Sequence, residues 1–162
     1  MPTLIYGSET WVWNKRHESK INAVEMRSLR RVCGIRKIDR IRNEIIREEC
    51  DLKDDVVNKM KKSSLRWFGH MERMMDASLT KRIYRAKVPG SAGRGRPRCT
   101  FLNHINNLLK ESCVRSIRSC RRACMRGMMN LEEAKEVCQD RGKWHSIVSA
   151  YPSGDNGVMI DR

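Results

Sequence analysis

The sequence predicts a mainly α-helical protein, a bundle of about five to six helices with a short extended N-terminal segment and a Gly/Pro/Arg-rich linker. Apolar residues recur every three to four positions along most of the 162 residues, which is typical of one face of a helix. Alternation of apolar and polar residues, the pattern of a strand, is weak and confined to residues 4–13. Between Val88 and Arg98, two prolines and three glycines interrupt the helical pattern.

The first part of the chain is predicted to contain an extended entry over residues 1–13 and a first helical bundle over residues 14–87. A helix from Lys15 to Gly34 has a broad apolar face that includes Leu29, and Gly34 is a natural stop. Glu25 lies inside that face, so we expect a partly buried carboxylate paired with an arginine. Asp39 is expected to cap a second helix that ends near Cys50.

The third and longest helix is predicted from Asp54 to Met74. One side of it is apolar, and we expect its aromatic pair to lie in the core in preference to stacking on nucleic-acid bases. The predicted structural core therefore comprises Leu29, Trp67, Phe68, Met71 and Trp144. The other side is basic and has few acidic residues at the spacing needed for pairing. Its candidate phosphate ligands are Lys59, Lys62, Arg66, His70 and Arg73.

Residues 88–98 are predicted to be a basic linker, residues 99–150 further helices, and residues 151–162 a loose tail. A helix that begins near Phe101 is followed by one from Val114 to Met129, which aligns Arg115, Arg118 and Arg122 in one file. Asn130 and Glu133 form a capping box that opens a last helix, which runs to about Ala150 and buries Trp144.

Positive charge is concentrated in the middle of the chain. The net charge is +15, and residues 56–126 hold 18 Lys and Arg against 3 Asp and Glu. The two flanks are close to neutral, so the excess has the distribution of a surface that binds a polyanion. No apolar run approaches the roughly 18 residues of a membrane-spanning helix, and the N-terminus lacks the apolar core of a signal peptide. We therefore expect an intracellular protein with no membrane partner, nuclear in preference to cytoplasmic.

The seven cysteines are an odd number without the closely spaced pairs of common zinc sites. In an intracellular protein, free and often buried thiols are the favoured interpretation. The less favoured alternative is a zinc site whose candidate ligands are Cys113, Cys120, Cys124 and Cys138, with His145 beyond them.

Several ordered blocks resemble the region after the polymerase palm in reverse transcriptases of non-LTR (LINE-type) retrotransposons. They are LIYGSETW at Leu4–Trp11, EMRSLRRVCGI at Glu25–Ile35, RNE at Arg42–Glu44, LRWFGHMERM at Leu65–Met74 and GRGRPR at Gly93–Arg98. Ala134, Asp140-Arg141 and Trp144 echo a further family pattern. The chain departs from the family at Phe101, where a tryptophan is usual, and at Asn103-His104, where an acidic residue is expected.

The resemblance implies a thumb-like region that grips an RNA or DNA duplex through its phosphate backbone. The Tyr-x-Asp-Asp turn that holds catalytic metal ions in the retroelement palm is absent from the sequence. We therefore expect a C-terminal fragment of such an enzyme, catalytically inert by itself. It is expected to have no catalytic residue, no resident metal and no cofactor, with Mg²⁺ acting only in the intact parent enzyme. The oligomeric state is left open.

An alternative function belongs to the linker. Arg94, Arg96 and Arg98 lie in an Arg-Gly-Arg-Pro context, the core of the AT-hook, which enters the narrow minor groove of A·T-rich DNA. The chain would then be a stand-alone DNA-binding protein derived from a retroelement. The plainer interpretation is a solvated linker that contacts phosphates without reading sequence. A basic scaffold in a larger particle is a third, less favoured possibility.

Overall fold

A computed structural model describes residues 5–52, 54–86, 95, 99–119 and 129–151. Over these residues the protein is helical and contains no strand, which confirms the predicted fold class. The α-helices are α1 (Lys15–Val32), α2 (Asn43–Glu49), α3 (Val56–Arg73), α4 (Leu79–Arg85), α5 (Phe101–Ser119), α6 (Leu131–Gln139) and α7 (Arg141–Ser149). Two short 3-10 helices, Ser8–Thr10 and Lys37–Asp39, precede α1 and α2.

Helix boundaries follow local capping chemistry where the sequence signals are strong. Gly34 adopts a φ of 68°, and the backbone N–H groups of Gly34 and Ile35 donate to Arg31 and Arg30, so α1 ends in a Schellman motif. The predicted capping box of Asn130 and Glu133 opens α6. Both signals were read correctly from the sequence because they act within one helical turn.

Several elements differ from the prediction. The N-terminal segment contains a 3-10 turn. Asp39 does not start α2; its carboxylate accepts from the N–H of Arg36 and caps the second 3-10 helix, Lys37–Asp39. Helix α4 was not predicted. Helix α5 continues through Val114, where a new helix was expected. The last predicted helix is broken at Asp140, whose extended ψ of 106° separates α6 from α7.

The described residues divide into two compact units. One comprises residues 13–61, and the other comprises residues 5–12 together with residues from 62 to 151. The boundary lies inside α3, between Lys61 and Lys62.

In the unit of residues 13–61, a charged group lies among apolar side chains. Glu25 is 3% exposed and accepts from Arg47 at 2.9 Å, and Arg47 also pairs with Asp55 at 3.2 Å. Burial raises the pKa of Glu25, and the nearby Arg47 guanidinium opposes that rise. The expected pairing of Glu25 with an arginine is therefore confirmed. The apolar core around this group is small and consists of Met26, Ile46, Val56, Val57 and Met60.

The predicted apolar face of α1 is only partly used as a core. Leu29 is half-buried and Val32 is 81% exposed, so Leu29 is not the fully buried residue that the sequence predicted. The physical reason is a rotation of the packed face toward Glu25 and Met26, which are both buried.

The second unit has a larger apolar core, to which α3, α5, α6 and α7 contribute. Phe68 and Ile105 are fully buried at its centre, and Trp144 is 3% exposed. Phe68 and Trp144 pack with their ring centroids 5.7 Å apart. The rest of the buried cluster is Leu65, Leu108, Leu109, Ala134, Cys138, Val148 and Tyr151.

A glycine allows α7 to approach α3 closely. A Cβ atom added at Gly69 would overlap the indole of Trp144 at Nε1 and Cδ1. The indole lies across that glycine and donates from Nε1 to the backbone carbonyl of Leu65 at 3.0 Å. Gly69 and Trp144 therefore set the separation of the two helices, and with it the position of the surface that they share.

The end of α3 is capped by a buried lysine from α4. The Nζ of Lys81 donates to the carbonyl groups of Glu72 at 2.9 Å and Met74 at 2.6 Å, and pairs with Asp76 at 3.0 Å. A cation placed at the C-terminal carbonyls of a helix is favoured by the helix dipole. This contact explains why the short α4 forms although its own sequence pattern is weak.

None of the described helices combines the length and the apolar composition needed to cross a membrane.

Candidate nucleic-acid interface

The same local pattern, an arginine followed four residues later by a histidine, occurs on both α3 and α7. Arg66 and His70 share one face of α3, and Arg141 and His145 share one face of α7. From the sequence, only the pair on α3 was identified as candidate phosphate ligands. Each of the four side chains is exposed. Because Trp144 fixes α7 against Gly69, the two pairs line one concave surface.

This surface is a pocket of about 390 Å³. Arg66, His70, Arg73, Arg141 and His145 supply its polar lining. Trp144 and Val148 supply its apolar lining. No acidic side chain occurs among the described residues that line it. We call it the Arg/His pocket.

Such a lining suits a phosphate group. Each guanidinium is a permanently charged fork of N–H donors that matches phosphate oxygens, and an imidazole N–H can add a further hydrogen bond. The pocket combines basic side chains of α3, such as Arg66, with basic side chains of α7, such as His145. Its positive charge therefore depends on the tertiary fold and not on one helix alone.

Arg73 has a structural role at the edge of this pocket. Its guanidinium donates to the carbonyl of Cys138 at 2.9 Å and so ties the end of α3 to α6. Burial raises the pKa of the Cys138 thiol to about 12, and the Arg73 charge partly offsets that rise. Cys138 is therefore an unreactive core thiol.

Asp140 holds the start of α7, next to Arg141. Its carboxylate accepts from the backbone N–H groups of Gly142 at 2.9 Å and Lys143 at 3.1 Å. The Lys143 N–H is the main cause of a lowered pKa of Asp140. The carboxylate is thus engaged in capping, which leaves Arg141 to face the pocket.

The structure brings together only some of the predicted phosphate ligands. Arg66, His70 and Arg73 line the pocket. Lys59 is exposed on the part of α3 that belongs to the unit of residues 13–61. Lys62 is half-buried and already interacts with another group of the protein. The backbone of Arg115 and Arg118 lies in the last turns of α5. The predicted ligands outside the described residues are Arg94, Arg96, Arg98 and Arg122.

Arg141 and His145 were not assigned to nucleic-acid binding from the sequence. The Asp140-Arg141 pair was noticed as a family pattern, but no role was assigned to its arginine. The repeated Arg-x-x-x-His spacing was the available signal, although only packing across 79 residues, from Leu65 to Trp144, shows that the two copies meet.

The two neighbouring aromatic residues of α3 have different environments. Phe68 is buried in the core, as is Met71, whereas Trp67 is half-buried. Trp67 was expected in the core, but it lies beside His70, with ring centroids 5.6 Å apart at an angle of 42°. It also lines a second pocket. The reason is its position on α3, one residue away from the face that Phe68 buries.

This second pocket, of about 510 Å³, lies between α3 and the N-terminal turn. Tyr6 and Glu9 line it from the N-terminal side, and Arg66, Trp67 and His70 line it from α3. We call it the Tyr/Trp pocket. Tyr6 is 90% exposed, and Glu9 accepts from the Ser63 hydroxyl at 3.5 Å.

The zinc alternative gains no support from the described part of the chain, where no cluster of three metal-ligating side chains occurs. Cys138 is buried as a free thiol, and the backbone of Cys113 lies in α5. Cys120 and Cys124 lie outside the described residues.

Comparison with known proteins points to a mobile element. The chain is 31% identical over 83 residues to an uncharacterised transposon-derived protein of Caenorhabditis elegans. The match covers 49% of this chain and 30% of that protein's length. No protein-family model matches the chain, and no solved structure matches it. The similarity supports an origin of the chain in a transposable element.

Proposed function

We propose that this chain is the nucleic-acid-binding C-terminal part of a retrotransposon reverse transcriptase. In this proposal it grips the backbone of RNA and DNA, lacks the polymerase active site and needs no cofactor of its own. The observation that carries the proposal is the Arg/His pocket, because it brings together cationic donors from two helices and has no acidic side chain among the described residues of its lining.

Two further observations support the proposal. The positive charge of the central segment provides a long-range attraction for a polyanion. The similarity to a transposon-derived protein agrees with the retroelement blocks in the sequence. A protein of such a retroelement would act on nucleic acid in the nucleus. We therefore propose a nuclear location for the chain.

The affinity for an RNA–DNA hybrid duplex tests the role of the pocket. Arg66 and Arg141 are changed together to Ala, and a control variant changes Arg82 and Lys110, two exposed cations outside the pocket lining, in the same way. Charge-assisted hydrogen bonds contribute on the order of 1.5 kcal/mol each, so the pocket variant should bind at least tenfold more weakly. The control should lose much less. Equal losses in the two variants would show that net charge alone, and not the pocket, determines binding.

Primer extension tests the catalytic part of the proposal. Without palm carboxylates, the purified chain should extend no primer with Mg²⁺ or Mn²⁺. Template-dependent incorporation above that of a heat-inactivated control contradicts the proposal.

A further inference from the structure

We propose that the Tyr/Trp pocket holds one unpaired base of the bound strand, with a preference for guanine, while the adjacent phosphate lies in the Arg/His pocket. This inference rests on the proposed function, because it assigns a second subsite to the same nucleic-acid surface.

The two pockets share a wall. Arg66 and His70 line both of them, so a group bound in one pocket lies next to a group bound in the other. In a nucleotide strand, each base is joined through its sugar to a phosphate. Adjacent subsites for a phosphate and for a planar ring therefore match one nucleotide unit.

The linings of the two pockets differ in charge. The Arg/His pocket has no acidic residue among its described lining residues, whereas Glu9 lines the Tyr/Trp pocket. A carboxylate repels phosphate but accepts hydrogen bonds from N–H groups. The Tyr/Trp pocket is therefore suited to the base and the Arg/His pocket to the backbone.

The aromatic side chains provide the stacking surface. Trp67 is half-buried, so the structure holds its indole in place while part of it faces the pocket. Tyr6 stands 90% exposed at the pocket rim, where it can cover a bound ring. Stacking of a base on an aromatic side chain contributes about 1–3 kcal/mol and does not depend strongly on base identity.

Glu9 provides the selectivity. Its carboxylate has only acceptors, and one of its oxygens lies 3.5 Å from the hydroxyl of Ser63, which lines the same pocket. Guanine presents two neighbouring N–H donors on its Watson–Crick edge, whereas thymine and uracil present one donor between two carbonyl groups. A base in a duplex has that edge already paired, so the pocket requires a single strand, a bulge or an end.

The test measures binding by fluorescence anisotropy, with the full chain, to a short labelled oligothymidine strand, to the same strand with one central guanine, and to a duplex. The wild-type chain should bind the guanine strand roughly tenfold more tightly than oligothymidine, as one bidentate base contact allows. Glu9→Gln should abolish this preference. Glu136→Gln removes the same charge from an exposed position outside both pockets and should leave the preference unchanged.

A stacking variant completes the test. Tyr6→Ala alters an exposed side chain, so the fold should persist. It should weaken binding of both single strands severalfold without changing duplex binding. If the wild-type chain binds all three probes without a guanine preference, the base pocket is refuted and the proposed function stands. If it binds none of them, both are refuted.

Discussion

Substitution of Gly69 by alanine should destabilise the protein, although alanine is the better helix former. In an exposed helix interior, Gly→Ala stabilises by up to about 1 kcal/mol. At this position the new methyl group would overlap the indole of Trp144, a side chain that is only 3% exposed. The indole must shift, which weakens its hydrogen bond to Leu65 and its packing against Phe68.

The expected magnitude follows from these opposing effects. Overpacking in a core costs about 1–3 kcal/mol. A buried N–H that loses its acceptor adds about 1–3 kcal/mol. After subtraction of the helix-propensity gain, Gly69→Ala should lower the free energy of unfolding by about 1–5 kcal/mol.

Urea denaturation followed by far-UV circular dichroism measures this change. The matched control is Gly142→Ala in α7, where a Cβ would lie 3.4 Å from the nearest atom, an oxygen of Asp140, which is an ordinary contact. That variant should be unchanged or slightly more stable. A Trp144→Phe substitution should also reduce the effect of Gly69→Ala, because the smaller ring makes room for the methyl group. If Gly69→Ala is as stable as Gly142→Ala, the close approach of α7 to α3 is wrong.

Three further predictions concern other parts of the protein. Lys81→Met should lower the free energy of unfolding by about 1–3 kcal/mol in urea denaturation, because two carbonyl groups at the end of α3 lose their donor; an unchanged midpoint contradicts that cap. Arg47→Met should lower the free energy of unfolding by about 1–3 kcal/mol at neutral pH. This is less than the loss on breaking a fully buried ion pair, because Arg47 is 27% exposed. Burial raises the pKa of Glu25, and a protonated carboxyl needs no cationic partner. The loss of stability caused by Arg47→Met should therefore become smaller as the pH falls through that pKa. A loss that does not change with pH in thermal unfolding refutes the pairing. In the native protein, a thiol reagent should modify the exposed Cys99 much faster than Cys138, whose pKa is raised to about 12; equal rates by mass spectrometry contradict the burial of Cys138.

Local sequence signals predicted the parts of the fold that depend on local chemistry. The amphipathic α3, the stop at Gly34 and the capping box at Asn130 each depend on residues within a few positions of one another. The break at Asp140 was missed although an aspartate before Arg-Gly is itself a capping signal. Helix α4 was missed because tertiary contacts of Lys81, and not local periodicity, stabilise it.

Only the part of the candidate site that lies on α3 could be predicted from the sequence. Arg66, His70 and Arg73 were identified because they lie on the basic side of one long helix. Arg141 and His145 join them through a hydrogen bond between residues 79 positions apart, and no local pattern reports such a contact. For the same reason, Trp67 and Phe68 were grouped together although only Phe68 is fully buried.

The dependence of nucleic-acid affinity on salt concentration tests the central claim most directly. On duplex DNA, the logarithm of the binding constant falls against the logarithm of salt concentration by about 0.9 for each phosphate contact. If Arg66 and Arg141 both contact phosphate, their joint replacement by Ala should flatten that slope by roughly two units. Replacement of Arg82 and Lys110 should leave the slope nearly unchanged. A folded Arg66/Arg141 variant with the wild-type slope would contradict the assignment of the Arg/His pocket to the nucleic-acid backbone.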